Sequence, residues 1–190
     1  GAVPYLSAII GGRFRLDHDY LDILRKGLSP IGATLHGGGA PYDPSMFYRF
    51  QDGRMHNGLT VVAYNLKDVN PGNGGFGCVP GSHKANYAMP ENWVDMAETR
   101  ADCVRAVEGK AGTAVIFTEA LTHGALPWTS DAERRTVFYK YNHPAISWVN
   151  RYYDSAIVET LTDAQKKILA PPQHPMLVDA YVKRNDQDAR

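Results

Sequence analysis

Residues 113–141 constrain this chain more than any other stretch. Thr113-Ala-Val-Ile-Phe-Thr118 is an apolar run of strand length, and Val137-Phe-Tyr-Lys-Tyr141 is a second, β-branched and aromatic. Between them come His123 and then Gly124, Pro127, Ser130 and Asp131, residues that end strands and turn the chain. A histidine at a strand end is aimed by its neighbours, here toward whatever cleft the sheets enclose. Arg134 or Arg135, opening the next strand, stands beside it with a planar fork suited to a carboxylate. Taken alone, the same residues also describe a surface histidine and ordinary charged strand ends.

The rest of the chain supplies more short strands and few helices. Phe14, Leu16, His18 and Tyr20 alternate with Arg13, Arg15, Asp17 and Asp19, a period of two. Residues 28–32 form a break, and Ala33-Thr-Leu-His36 reads as a short strand ending in a histidine before Gly37-Gly38-Gly39. Residues 40–58 look like loop, residues 59–66 are the clearest strand, and 67–75 are a turn by every sign. Phe76-Gly-Cys-Val79 is a further strand. Helices are expected at 91–104 and at 162–169, the second capped by Thr162 or Asp163 and stopped by Pro171-Pro172. Residues 183–190 read as a frayed polar tail. Strands at short intervals between turn signals point to one all-β domain over 1–190, an antiparallel sandwich or barrel.

Composition narrows the function. The 20 Lys and Arg balance the 20 Asp and Glu, so no basic face for nucleic acid is indicated. No apolar run reaches membrane-spanning length, and no signal segment opens the chain. Two cysteines make neither a disulfide framework nor a zinc pattern, so buried thiols in a reducing, cytoplasmic setting are expected. The apolar opening, Gly1 to Gly12, begins without an initiator methionine and reads as part of a longer protein whose N-terminal portion is missing.

Asp68-Val-Asn-Pro-Gly-Asn-Gly-Gly-Phe-Gly-Cys-Val-Pro-Gly-Ser-His-Lys84 resembles a strand-turn-strand segment of the phytanoyl-CoA dioxygenase family. The resemblance extends roughly from Arg13 to Tyr141. It implies a double-stranded β-helix, the jelly-roll or cupin-like barrel, and an oxygenase dependent on iron(II) and 2-oxoglutarate. In that family a proximal His-x-Asp/Glu, a distal histidine and a downstream arginine do the work. His36 is similar to the proximal histidine, and His123, 87 residues on, to the distal one. Arg134, eleven residues after His123, matches the arginine that binds the 2-oxoglutarate carboxylate, with Arg135 as the alternative because a one-residue slip exchanges their faces. Two imidazoles and a carboxylate would hold one face of iron(II) and leave three positions open. Asn65 or its neighbour Tyr64 faces inward beside the keto acid.

The chain departs from the family at Gly38, where the carboxylate should stand. His-x-Gly is similar to the pattern of iron halogenases, in which a halide such as chloride fills the vacated position. Three other arrangements fit the same residues. Asp43 folds back from the glycine-rich loop, Glu119 supplies the carboxylate from four residues before His123, or the metal is lost and the fold only binds. Asp43 is expected to decide between hydroxylase and halogenase, and Gly38→Asp to restore hydroxylation. His56 is placed to line the cleft, His83 to shape a turn, and His18 to serve structure or substrate, whereas His143 and His174 have no evident partner. The function expected is oxidation of a small organic metabolite, covered by the aromatic loop 40–57. The alternative is a jelly-roll module that binds a small molecule without iron.

Overall fold

A computed structural model describes residues 1–28, 32–150 and 153–179. The polar tail expected at 183–190 lies outside them, as does part of the break expected at 28–32. Two antiparallel four-stranded sheets carry the fold. The first contains β1 (Arg15–Leu24), β5 (Thr60–Asn65), β8 (Ala114–Thr118) and β10 (Arg134–Asn142), in the order β1-β10-β5-β8. The second contains β2 (Leu35–His36), β6 (Gly75–Cys78), β7 (Arg105–Ala106) and β9 (His123–Leu126), in the order β2-β9-β6-β7. A hairpin of β3 (Tyr48–Gln51) and β4 (Arg54–Asn57) stands apart from both. Within the two sheets every neighbouring pair except β6–β7 joins non-consecutive strands, as in the jelly-roll expected. No helix among the described residues is long and apolar enough to cross a membrane.

Strand alternation builds the interior. Val61 and Ala63 of β5, Phe117 of β8 and Phe138 of β10 meet Phe76 and Cys78 of β6 between the sheets. Val61 is fully buried, which is worth about 2 kcal/mol over an exposed valine. Register places the inward set of β10 at even numbers: Phe138 faces Ala63 on β5 and Tyr20 on β1, and Leu24 faces Arg134. Of the two cysteines, Cys78 is buried as expected and Cys103 is half-buried.

Three expectations are corrected here. Residues 91–104 are not a helix. A 3-10 turn at Glu91–Trp93 is followed by irregular chain whose Met96 and Val104 pack on Leu35 and Leu126. The apolar spacing that suggested a helix is a cover for the outer face of the second sheet. Residues 40–58 are not all loop, because the β3–β4 hairpin forms within them around Asp52 and Gly53, both at positive φ. The alternation in β1 is also broken, with a register shift between Leu16 and His18. That bulge turns Asp17 inward to 1% exposure beside Arg15 at 3%.

Asp17 is fully satisfied in its buried place. It accepts from Arg15 Nη1 at 2.9 Å, His18 Nδ1 at 2.7 Å and the Trp148 amide at 2.8 Å. Burial alone would raise its pKa, but His18, Trp148 and Arg15 outweigh it and hold the carboxyl low. Arg15 Nε also donates to the Ala170 carbonyl at 3.1 Å, at the end of α3 (Asp163–Leu169). This helix forms where expected, with Thr162 and Gln165 in a reciprocal capping box. Removing one partner of a buried pair strands the other charge. Asp17→Ala is therefore expected to lower the unfolding free energy by about 3 kcal/mol, measured by urea titration. A loss under 1 kcal/mol would show that water replaces the carboxylate.

Candidate functional site

The site begins with a register. His36 on β2 lies directly opposite His123 on β9, and His123 also lies opposite Cys78 on β6. Directly paired residues share a face, so the two imidazoles stand together, ring centroids 4.3 Å apart. His123 is buried and its Nδ1 lies 2.7 Å from the Leu121 carbonyl. A carbonyl only accepts, so Nδ1 carries the proton and Nε2 keeps its lone pair for the cavity. Burial lowers the His123 pKa to about 4, which keeps the ring neutral at physiological pH. His36 stands on the solvent-accessible side of the cluster.

Glu119 completes the cluster. It follows Val115 and Phe117 in the inward parity of β8, one step past the strand end. The chain then turns through 119–122 and brings His123 back, so that His123 Nε2 lies 3.7 Å from Glu119 Oε2. One ligand atom from each of His36, Glu119 and His123 lies within 4.8 Å of the others. Two neutral imidazoles and one carboxylate are the donor set that holds non-haem iron(II) on one face, so these residues fit that ion. On its other oxygen Glu119, itself buried, pairs with the partly buried Lys140 Nζ at 2.7 Å. Burial would raise the pKa of Glu119, but the positive charge of a protonated His123 and of Lys140 outweighs it and lowers the pKa. While His123 is neutral, Lys140 is the standing counter-charge.

Glycines let this turn approach. A Cβ on Gly37 would lie 2.3 Å from the Leu121 carbonyl oxygen and 2.8 Å from that of Glu119. Gly38 has φ 93°, and a Cβ there would meet Thr122 Oγ1 at 2.9 Å. The backbone that lacks a carboxylate at 38 thus makes room for the turn carrying Glu119. An aspartate at 38 would have to take up a left-handed backbone and push Thr122 Oγ1 aside, which counts against the expectation that Gly38→Asp restores the ligand.

Asp43 does not join the cluster. Its Oδ1 accepts from the Ser45 amide at 2.7 Å and the Ser45 hydroxyl at 2.5 Å, closing the turn from 43 to 46. His56 is exposed on β4, and His83 lies edge-on to Tyr48. His18 contacts Asp17 and stacks along Tyr20. Asn65 is the inward member of its pair and lies 3.4 Å from Thr136 Oγ1, while Tyr64 packs against Tyr139. His143 and His174 accept from nearby amides at Ala145 and Met176.

Behind the cluster lies a cavity of about 380 Å³, walled by Leu24, Phe76, Phe117 and Phe138. Arg134 faces into it at 4% exposure, whereas Arg135 points outward and pairs with Glu133. Asp22 also lines it and accepts from Arg134 Nη1 at 3.1 Å. Lys140 and Asp22 were not singled out from the sequence. The signal was period two: Lys140 shares the parity of Arg134 and Phe138, and Asp22 that of Tyr20 and Leu24.

The phytanoyl-CoA dioxygenase (PhyH) family model matches residues 34–136, more than half of the chain. No curated protein matches the sequence. Among solved structures, HygX from Streptomyces hygroscopicus with nickel and 2-oxoglutarate bound is 21% identical, with a TM-score of 0.68 over 80% of this chain and 64% of that one. The same protein with nickel, 2-oxoglutarate and hygromycin B bound is 20% identical, with a TM-score of 0.63 over 80% and 64%. The non-heme monooxygenase ThoJ in its apo form is 18% identical, with a TM-score of 0.57 over 98% and 73%. The chain thus spans a little less than two thirds of the HygX chain.

Two outcomes follow from the geometry. Gly38→Asp is expected to cost about 2 kcal/mol of stability with no gain in metal affinity, read by thermal melting and by metal titration. A tighter metal site would mean that the turn yields. In metal-free protein the His123 contribution is fully present above pH 6.5 and lost as the pH falls toward 4, because the unfolded chain takes the proton first. The loss amounts to about 3 kcal/mol. Urea titrations at pH 7 and 4.5 measure it, and His123→Gln should flatten the dependence.

Proposed function

The chain belongs to the phytanoyl-CoA dioxygenase family, and on that premise we propose that it is an iron(II)- and 2-oxoglutarate-dependent oxygenase of a small organic molecule. The observation that carries this reading is the convergence of His36, Glu119 and His123 at the edge of a cavity that also contains Arg134. In this reading Glu119, not a residue at position 38, is the carboxylate ligand. Iron(II) held by these three residues would supply the redox chemistry by which 2-oxoglutarate and O₂ become succinate and CO₂ while the second oxygen atom enters a substrate C–H bond.

The chain's own residues set up that chemistry. The Leu121 carbonyl holds the His123 ring with Nε2 free, and Lys140 fixes one Glu119 oxygen so that the other faces the imidazoles. Arg134 meets the far carboxylate of the keto acid with a charge-assisted pair. Phe76, Phe117 and Phe138 keep the cavity wall dry, which strengthens every charged contact inside it. HygX, with nickel, 2-oxoglutarate and hygromycin B bound, supports a small organic substrate. The open cavity supports the oxygenase over a binding module with a filled barrel.

Oxygen insertion is favoured over halogenation. A halide needs a coordination position without a competing carboxylate, and the presence of Glu119 in the cluster supports oxygen insertion instead. Anaerobic addition of iron(II) and 2-oxoglutarate should give the weak visible charge-transfer band of a chelated keto acid. Glu119→Ala should weaken metal binding at least tenfold, whereas Asp43→Ala should leave it unchanged. If the band survives in Glu119→Ala and grows sensitive to chloride, the halide reading replaces this one. Absence of the band and of succinate with the intact chain rules out the oxygenase.

A further inference from the structure

Arg134 is held on one side only. Its Nη1 donates to Asp22 Oδ2 at 3.1 Å, while its Nε is buried and meets no acceptor among the described residues. A guanidinium offers two forks: Nη1 lies on the edge taken by Asp22, and Nε with Nη2 forms the edge turned away from it. An unpaired buried donor is costly, so this edge is built for an acceptor that the described residues do not supply. On that side stands Gly75 of β6, at φ 84°. A Cβ at Gly75 would lie 3.1 Å from both Nε and Cδ of Arg134, so any side chain there would push the guanidinium aside.

Asp22 and Gly75 reach Arg134 from opposite sheets. Asp22 sits on β1 diagonally across from Arg134, which pairs with Leu24, and Gly75 sits on β6 across the barrel. We propose that Asp22 is a positioning residue that, with Gly75, turns Arg134 so that its Nε–Nη2 edge receives the far carboxylate of the keto acid. This rests on the 2-oxoglutarate reading above. Asp22 carries a charge of the same sign as that carboxylate and lies beside it. Two effects therefore oppose each other: orientation of the fork, which favours binding, and repulsion, which disfavours it. The geometry assigns the larger effect to orientation, because a bidentate pair needs the planar fork aligned and Arg134 has no other side-chain partner among the described hydrogen bonds and ion pairs.

The test is calorimetric titration of cobalt(II)-loaded protein, which does not turn over, with 2-oxoglutarate and with 2-oxopentanoate, a keto acid of equal length without the far carboxylate. Asp22→Ala is expected to weaken 2-oxoglutarate binding at least tenfold. Asp22→Asn, whose amide oxygen still accepts from Nη1, should stay within threefold of the parent protein. Binding of 2-oxopentanoate should be equal in all three, and in turnover Asp22→Ala should raise the KM for 2-oxoglutarate more than it lowers kcat. Equal or tighter 2-oxoglutarate binding by Asp22→Ala overturns the proposal in favour of repulsion. A loss shared by Asp22→Asn, or by 2-oxopentanoate, overturns it in favour of charge or of general disruption. If the parent protein binds cobalt but not 2-oxoglutarate, the cosubstrate reading fails and the proposal with it, a result distinct from a normal Asp22→Ala. Should Asp22→Ala not fold, Gly75→Ala approaches Arg134 from the other side and must weaken 2-oxoglutarate alone.

Discussion

The direct pairing of His36 with His123 is the constraint on which the site depends. One pair of adjacent residues on β2 and β9 fixes two imidazoles on the same face at ring distance, before any side chain chooses a rotamer. The remaining parts are arranged around that pair. β8 ends where its inward parity delivers Glu119, the turn closes over Gly37, and β10 brings Lys140 under the carboxylate. A slip of one residue between β2 and β9 would separate the imidazoles onto opposite faces. The second sheet is therefore the precise part of the molecule, although its strands are the shorter ones.

Glu119 holds two relationships at once. Its oxygens divide between Lys140 and His123, so the carboxylate is balanced by charge on one side and by neutral rings on the other. The ammonium lets an ionised carboxylate persist at low exposure, where it would otherwise take up a proton. Arg134 repeats the scheme with the signs exchanged, a buried cation balanced by Asp22 at the edge of the same cavity. In these two pairs each charge has its counter-charge, and each pair leaves one side open toward the cavity.

The jelly-roll was legible because alternation and turn signals are local, and β5, β6, β8, β10 and α3 form close to where residue patterns place them. The two histidines and Arg134 were legible from spacing and family resemblance. What was not legible depended on long-range contacts. Glu119 was weighed as though it shared a strand with His123, and only the turn between them shows how the two meet. Asp43 looked the nearer carboxylate in sequence, yet Ser45, two residues on, captures it. The helix expected at 91–104 failed because a cover for an outer sheet face needs apolar residues without needing helical periodicity. The burial of Asp17 was missed because the plain alternation read over β1 does not announce a bulge.

The Asp17 network also separates two notions of where a domain ends. Similarity to the family stops at residue 136, yet β10 runs on to Asn142, and the buried carboxylate of Asp17 is tied to the amide of Trp148. Arg15 carries the tie further, to the carbonyl of Ala170. The residues packed against the matched segment thus reach beyond it on both sides, from Arg15 to Ala170. The added segment acts as a clasp, closing from outside the strand that carries Arg134 and Lys140 within.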